Sequence, residues 1–509
     1  MILSRPAAMI LPKCKSLFCA LALALLCTPS ASAHVGNKDI YQTIAVGSYK
    51  LFVTVRVPLV IPGVATIEVR SSGTPIRSMT VTPLPLTGEA SKHPPTPDAM
   101  KPSNSDPAFF AGSLWIMASG SWQVRFDIDG AAGPSTASVP VPAVPTALLR
   151  MQRPMGVMLA LLGCTLVLGF VGIAMAAARE ARLVPGSTPE PARRRRALIV
   201  GAAAFIFCAV AVWLGGKWWN VEAADYAAKM HRNSELRLRL DGNHVNLLIG
   251  DPDPAAEDGW KVVENSDLLT DHGHLMHLYA IRWPQMDAVF HLHPVPNGDR
   301  GFSEALPAMP AGTYRLYADV VFRNGFPETE TAFLTVPAGM TGAPLGSEDA
   351  SAAPQPLTAG QLGPGYMLPD GYRMVWDKPA ALTSNTAYNL VFHLLDPQGR
   401  PAADMQPYLG MAGHAAFVKT DGTAFAHTHP DGSAAMPAVM LANESSGLAM
   451  NGNGMDEMAD ASAMKMSMEP LSPTVSFPYG FPSAGAYRVF IQMKHGTTVE
   501  TGTFDATVQ

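Results

Sequence analysis

Five of the chain's 14 histidines stand within 24 positions, in DHGHLMHLYAIRWPQMDAVFHLHP (271–294): His272, His274, His277, His291 and His293. A second stretch, YLGMAGHAAFVKTDGTAFAHTHP (408–430), holds His414, His427 and His429. On a strand, residues i and i+2 face the same way, so His291 with His293, and His427 with His429, present paired imidazoles. A third histidine preceded by glycine, His274 or His414, completes a three-nitrogen set in each stretch. Neutral imidazole suits zinc, copper, iron and nickel, and the glycine permits close backbone approach. A lone HxH is more often solvated or hydrogen-bonded than ligating. Its matched recurrence, each time followed by proline, favours metal over histidines that merely tie the same turn in both copies.

The two stretches belong to a repeat. The first copy reads NLLIGDPDP, GH (273–274), HLHP (291–294) and PAGTYRLY (310–317); the second reads NLVFHLLDPQG, GH (413–414), HTHP (427–430) and SAGAYRVF (483–490). On this alignment His272 and His277 have no counterparts, Phe417 standing in the place of His277. From HxHP to the AGxY turn is 18 residues in the first copy (Pro294 to Gly312) and 55 in the second (Pro430 to Gly485). The extra residues carry a methionine-rich insert, 436–470, ending in MKMSM: Met464, Met466 and Met468. Thioether sulfur is a soft ligand that selects Cu(I), and the segment has too few other apolar residues for a core. The alternative is a loop or a greasy contact patch. Met411, three residues before His414, is a further candidate ligand or a core residue.

Alternating runs such as LFVTVRV, SWQVRFDI, TYRLYADVVF and AYRVFIQM, bounded by proline and glycine, predict half-buried antiparallel strands. The expected fold is mainly β: three Ig-like or cupredoxin-like β-sandwich domains, with two transmembrane helices between the first and second. Residues 1–33 read as a signal peptide, Lys13 and Lys15 preceding SLFCALALALLC and then ASA. Cleavage there would leave His34 first, its α-amino group and ring able to chelate Cu(II), unless it merely ends a frayed terminus. A sandwich follows at 34–147, then apolar spans at 154–178 and 197–216. The loop between them, 179–196, has six arginines and is expected in the cytoplasm, both flanks outside. Trp218 and Trp219 follow as an interfacial anchor. Repeat modules are expected at 217–337 and 366–509, joined by a Gly/Pro/Ala-rich linker at 338–365.

All five cysteines fall in the signal or the spans, so the exported domains have neither disulfides nor thiolate ligands. That excludes a blue-copper centre, which needs cysteine. The chain has 36 basic against 41 acidic residues, nothing that argues for a nucleic-acid partner. No HExxH, nucleophile elbow, phosphate loop or defensible acid/base pair is present.

The 34–145 segment, with VRVPLVIPGVATIEVR, KHPPTPD and DPAFFAGSLWIMASGSWQVRFDIDG, resembles the YtkA-like domains of bacterial exported proteins. The histidine modules resemble β-sandwich modules of bacterial membrane proteins that handle heavy metals, and the whole is similar in style to periplasmic copper carriers of the CopC kind. The resemblance implies a cytoplasmic (inner) membrane protein with periplasmic domains that buffers or relays copper, beside a copper transporter or oxidase in the same membrane. Copper, with zinc as the alternative, is the expected ion. Two other readings stay open: a copper, iron or zinc enzyme using Asp271 or Asp287 beside the histidines, and an envelope scaffold without metal.

Overall fold

A computed structural model describes residues 39–149, 151–184, 186–253, 260–445 and 471–509. The expected signal peptide, His34, and Met464, Met466 and Met468 lie outside the described residues. The protein is mainly β, in three two-sheet units, with two apolar helices between the first unit and the others.

In the N-terminal sandwich, strands Tyr49–Arg56 and Gly63–Gly73 turn alternate residues inward, so Val53, Val55, Ala65, Ile67 and Val69 are fully covered. They pack against Val81, Val124, Phe126, Val139 and Val141 of the facing sheet, the period-two pattern producing the core directly. The helices that follow, Arg153–Glu180 and Pro191–Ala228, each begin at or beside a proline and are both long and apolar enough to cross a membrane. They run as a hairpin, Gly201 lying against the Met175 side chain, with almost no other residue covered by protein.

The second helix is longer than the apolar run 197–216. At 38 residues it spans roughly 57 Å, well beyond a hydrocarbon core of about 30 Å. Its end reaches the N-terminal sandwich, where Ile61 N–H donates to the Tyr226 hydroxyl at 3.1 Å. His231 N–H then donates to the Pro145 carbonyl at 3.0 Å. Both β regions therefore stand at the same end of the helical hairpin.

The two repeat modules share one topology. In the first, His277–Arg282 lies between Val289–Leu292 and Gly312–Phe322, and Pro327–Val336 pairs with the last. In the second, His414–Lys419 lies between Phe425–Thr428 and Gly485–His495, with Thr498–Val508 outside. Each module has its own core, around Leu278, Leu316 and Leu334 in one and Phe392, Phe417 and Phe504 in the other.

The outer faces of these sheets pack together through Tyr279, Ile281, Val289 and Tyr317 against Ala416, Val418, Phe425 and Phe490. Tyr317 stacks on Phe425 at 4.1 Å. The buried Arg488 is paired with Asp505 (2.8 and 2.9 Å) and donates to the Met286 and Gln355 carbonyls of the facing side.

The segment 338–365 is structured, not a free tether. Ala350–Ala352 adds a strand to Val289–His291, and Glu348 and Asp349 are thereby carried to the histidines. The insert begins with a helix, Met436–Ser445, whose Ala438 and Ala442 pack on Leu86 of the N-terminal sandwich. That sandwich also holds the loop just after His429, through Thr43 N–H to the Asp431 carbonyl (2.6 Å) and Ser433 N–H to the Tyr41 carbonyl (2.8 Å).

Candidate metal centre

Strand register decides which histidines are equivalent. His277 opens its strand opposite Asp319, and His414 opens its strand opposite Gln492. His291 faces Tyr279 where His427 faces Ala416. The repeated triplets are therefore His277, His291, His293 and His414, His427, His429, which corrects the alignment of His274 with His414. The glycine-histidine pairs misled because the two glycines do different work. Gly273 sits at φ 87° in the turn Asp271–His274, whose equivalent is Tyr408–Met411 with Gly410 at φ 77°. Gly413 instead precedes the strand, where a Cβ would lie 2.5 Å from the Gln492 carbonyl. His274 thus matches Met411, and His272 matches Leu409, both at φ 51°.

All eight histidines converge where the modules meet. His277, His291 and His293 have ring centres 4.6–5.3 Å apart. His272 of the first module joins His414 and His429 of the second at 4.9–5.2 Å. In each trio the candidate ligand nitrogens lie within 4.8 Å of one another. His427 stands between the trios, 4.8 Å from His429 and 5.2 Å from His277, ring to ring. His274 lies at the rim, 4.2 Å from the His293 ring, with Nε2 3.0 Å from Glu348. Met411 is buried in its turn.

The hydrogen bonds on the far side of each ring orient the near side. A carbonyl can only accept, so the 3.0 Å contact with Asp271 O puts the hydrogen of His277 on Nε2 and frees Nδ1. His291 Nδ1 donates to Gln492 Oε1 at 2.8 Å, freeing Nε2. Those two free nitrogens face each other at 3.1 Å. Two nitrogens on one tetrahedral ion at about 2.0–2.1 Å would lie about 3.3 Å apart. His293 Nδ1 donates to Asp349 at 3.0 Å and leaves Nε2 without a partner. In the second trio, Nε2 of His272 and of His429 and both nitrogens of His414 lack hydrogen-bond partners, as does Nε2 of His427, whose Nδ1 meets Asp319 at 3.2 Å.

Six ring nitrogens are therefore buried and unpaired in one place. Each such group costs about 1–3 kcal/mol, a penalty that a bound cation removes. Burial, reinforced by the neighbouring imidazoles, holds His277, His291, His414 and His429 well below the usual histidine range and His272 at about 4. Neutral rings with inward lone pairs and outward N–H groups on carbonyl or carboxylate acceptors are the state in which imidazole binds metal. In a separate group, Asp370, His495 and Glu500, His495 lies between Asp370 (2.8 Å) and Asp404 (3.2 Å).

Sequence reasoning set aside His272 and His277. The signal for His277 was the strand itself: aligning HLYAIR with HAAFVK by their first residues pairs His277 with His414. His272 belongs to the second trio through the packing of the modules, which no local pattern encodes.

Fold and site define a mainly β protein with two helices long and apolar enough to cross a membrane and a cluster of histidines shared by two β-sandwich modules. Residues 367–509 match a family model described as "Domain of unknown function (DUF8832)". No curated protein matches the chain. Among solved structures, a tetra-tandem repeat in the extending region of a large adhesion protein is 8% identical, covering 89% of this chain and 72% of that one at a TM-score of 0.17. An Escherichia coli alpha-2-macroglobulin is 7% identical, with 91% and 31% covered and a TM-score of 0.17. An engineered protein is 20% identical over 18% of this chain and 17% of its own, at a TM-score of 0.14.

Proposed function

We propose that the protein is a membrane-anchored, extracytoplasmic copper-binding protein that buffers or relays the ion through the histidine centre. The observation that carries metal binding is the convergence of six buried imidazole nitrogens without hydrogen-bond partners, beside the His277 and His291 nitrogens that face each other while their opposite nitrogens are held by acceptors. An all-nitrogen donor set suits copper or zinc. The choice of copper rests on the methionine-rich segment and on the likeness in style to periplasmic copper carriers. An inner-membrane location with periplasmic β domains follows from the signal pattern and the arginine-rich loop, and delivery to a transporter or oxidase from the double anchor.

A catalytic reading has one observation in its favour: Asp271 lies beside the histidines in a cavity. That cavity is only about 130 Å³, against roughly 300–1,000 Å³ for small-molecule sites, and so favours the carrier. Asp287 is engaged with Arg282 at 3.3 Å.

The test is metal content of the full chain in detergent, equilibrated with equal copper and zinc, copper supplied oxidised and reduced, then desalted. One or more coppers per chain, lost in a His277→Ala/His414→Ala double variant, supports the proposal. Zinc alone moves the site to a structural or hydrolytic role. No metal refutes it.

A further inference from the structure

The histidine centre has one side that is neither module. There a cavity of about 130 Å³ is bounded by Val57, Pro58 and Pro142 of the N-terminal sandwich and by His231 and Asn233, just past the end of the second apolar helix. Its module walls carry Asp271, Asp319, Glu328, His427 and His429. Three of the buried polar atoms on this wall have no hydrogen-bond partner: Asp271 Oδ1, His427 Nε2 and His429 Nε2. The acids form a line. Glu328 meets His231 Nε2 at 3.4 Å and is held by Ser234 N–H at 3.2 Å. The next residue, Thr329, donates to Asp319 at 2.7 Å, and Asp319 meets His427 at 3.2 Å.

Resting on the metal-binding reading above, we propose that this cavity is the loading port of the centre. Glu328 with His231 forms a transient cation site at the membrane-proximal mouth, and Asp319 and Asp271 lead from it to His427 and His429. The chemistry is that of a metal cation shedding water in stages: carboxylate oxygens replace part of its hydration shell before imidazole nitrogens take over. Carboxylates lining a low-dielectric cleft also raise the local cation concentration. At the opposite rim the strap residues Glu348 and Asp349 meet His274 and His293, whereas the port lies against the N-terminal sandwich. The ion is thereby received at the membrane end of the β region.

The test is stopped-flow mixing of the metal-free full chain in detergent with Cu(II), read by quenching of intrinsic fluorescence, together with the final copper per chain. Glu328→Gln and His231→Gln are compared with Glu264→Gln, an acid outside the cavity lining that pairs with Arg300. The port predicts three- to tenfold slower loading for the first two, a flatter dependence on ionic strength, and unchanged final stoichiometry and thermal midpoint. Rates within twofold of the parent overturn the port while leaving the centre intact. Loss of stoichiometry in Glu328→Gln with an unchanged thermal midpoint also overturns it, making Glu328 part of the centre itself. If the parent takes up no copper, the metal-binding reading has failed before the port is examined.

Discussion

His291 Nδ1 donates to Gln492 at 2.8 Å, and Gln492 belongs to the other module. The equivalent contact runs the opposite way: His427 of the second module meets Asp319 of the first at 3.2 Å. Register makes Asp319 and Gln492 counterparts, opposite His277 and His414. Each module therefore orients the central histidine of its neighbour, and the pseudo-symmetric interface and the site are one structure. The exchange is asymmetric in charge, since a carboxylate backs His427 and an amide backs His291.

Removal of His277 should cost more than removal of His274. His277→Ala deletes an oriented nitrogen from the middle of the first trio, while His274→Ala deletes a rim residue paired with Glu348. The expected outcome is at least a tenfold loss of metal affinity for the former and a smaller change for the latter, measured by competition with a chelating dye. Equal effects would mean that the trio is not the site.

The orienting residues should matter almost as much as the ligands. Outer-shell changes at metal-bound histidines typically cost about 10–100-fold in affinity. Gln492→Leu and Asp349→Leu are expected in that range, with the metal-to-protein ratio retained at saturation. A shift of less than threefold in both would argue that the inward nitrogens are not the donors.

Acid should open the metal-free interface. A histidine kept neutral by burial has a folded pKa below its unfolded value of about 6.5. Below that pH the unfolded chain takes up protons that the folded chain refuses, so stability present above about pH 6.5 is lost as pH falls. Each ring that stays neutral contributes up to about 1.4 kcal/mol per pH unit, and His272, His277, His291, His414 and His429 all qualify. The hydrogen-exchange protection factors of His277–Arg282 and His414–Lys419, taken relative to the intrinsic rate at each pH, should fall between pH 7 and 5 well before those of the N-terminal sandwich.

Glu330 gives the opposite slope. It is fully buried, and burial followed by the neighbouring Glu328 pushes its carboxyl well above the usual carboxylate range. The folded group holds its proton where the unfolded one has lost it, so stability falls as pH rises above the unfolded carboxyl pKa of about 4.3. Glu330→Gln should raise the thermal midpoint at pH 8–9 and leave it nearly unchanged at pH 5.

Deletion of residues 446–470, which include Met464, Met466 and Met468, should separate the two proposed kinds of ligand. The helix Met436–Ser445 that docks on the N-terminal sandwich is retained. Cu(I) bound per chain is expected to fall while Cu(II) or Zn(II) uptake by the histidines stays the same. Unchanged Cu(I) capacity would remove the segment from the mechanism.

Much was legible in the chain itself. Period-two alternation and proline or glycine punctuation set the β class, because a half-buried strand must alternate. Two apolar runs set the helices, because no water is available to the backbone in a bilayer. The HxH pairs put His291 with His293 and His427 with His429 on common faces, because strand geometry is local. What the tertiary structure alone decided was membership of the trios. Register, fixed by pairing with Gly312–Phe322 and Gly485–His495, matched His277 with His414. The face-to-face packing of the modules brought His272 to His414 and His429, and Gln492 to His291. These contacts join residues 142 or more positions apart, and the burial that selects them is a property of the assembled interface and of no single segment.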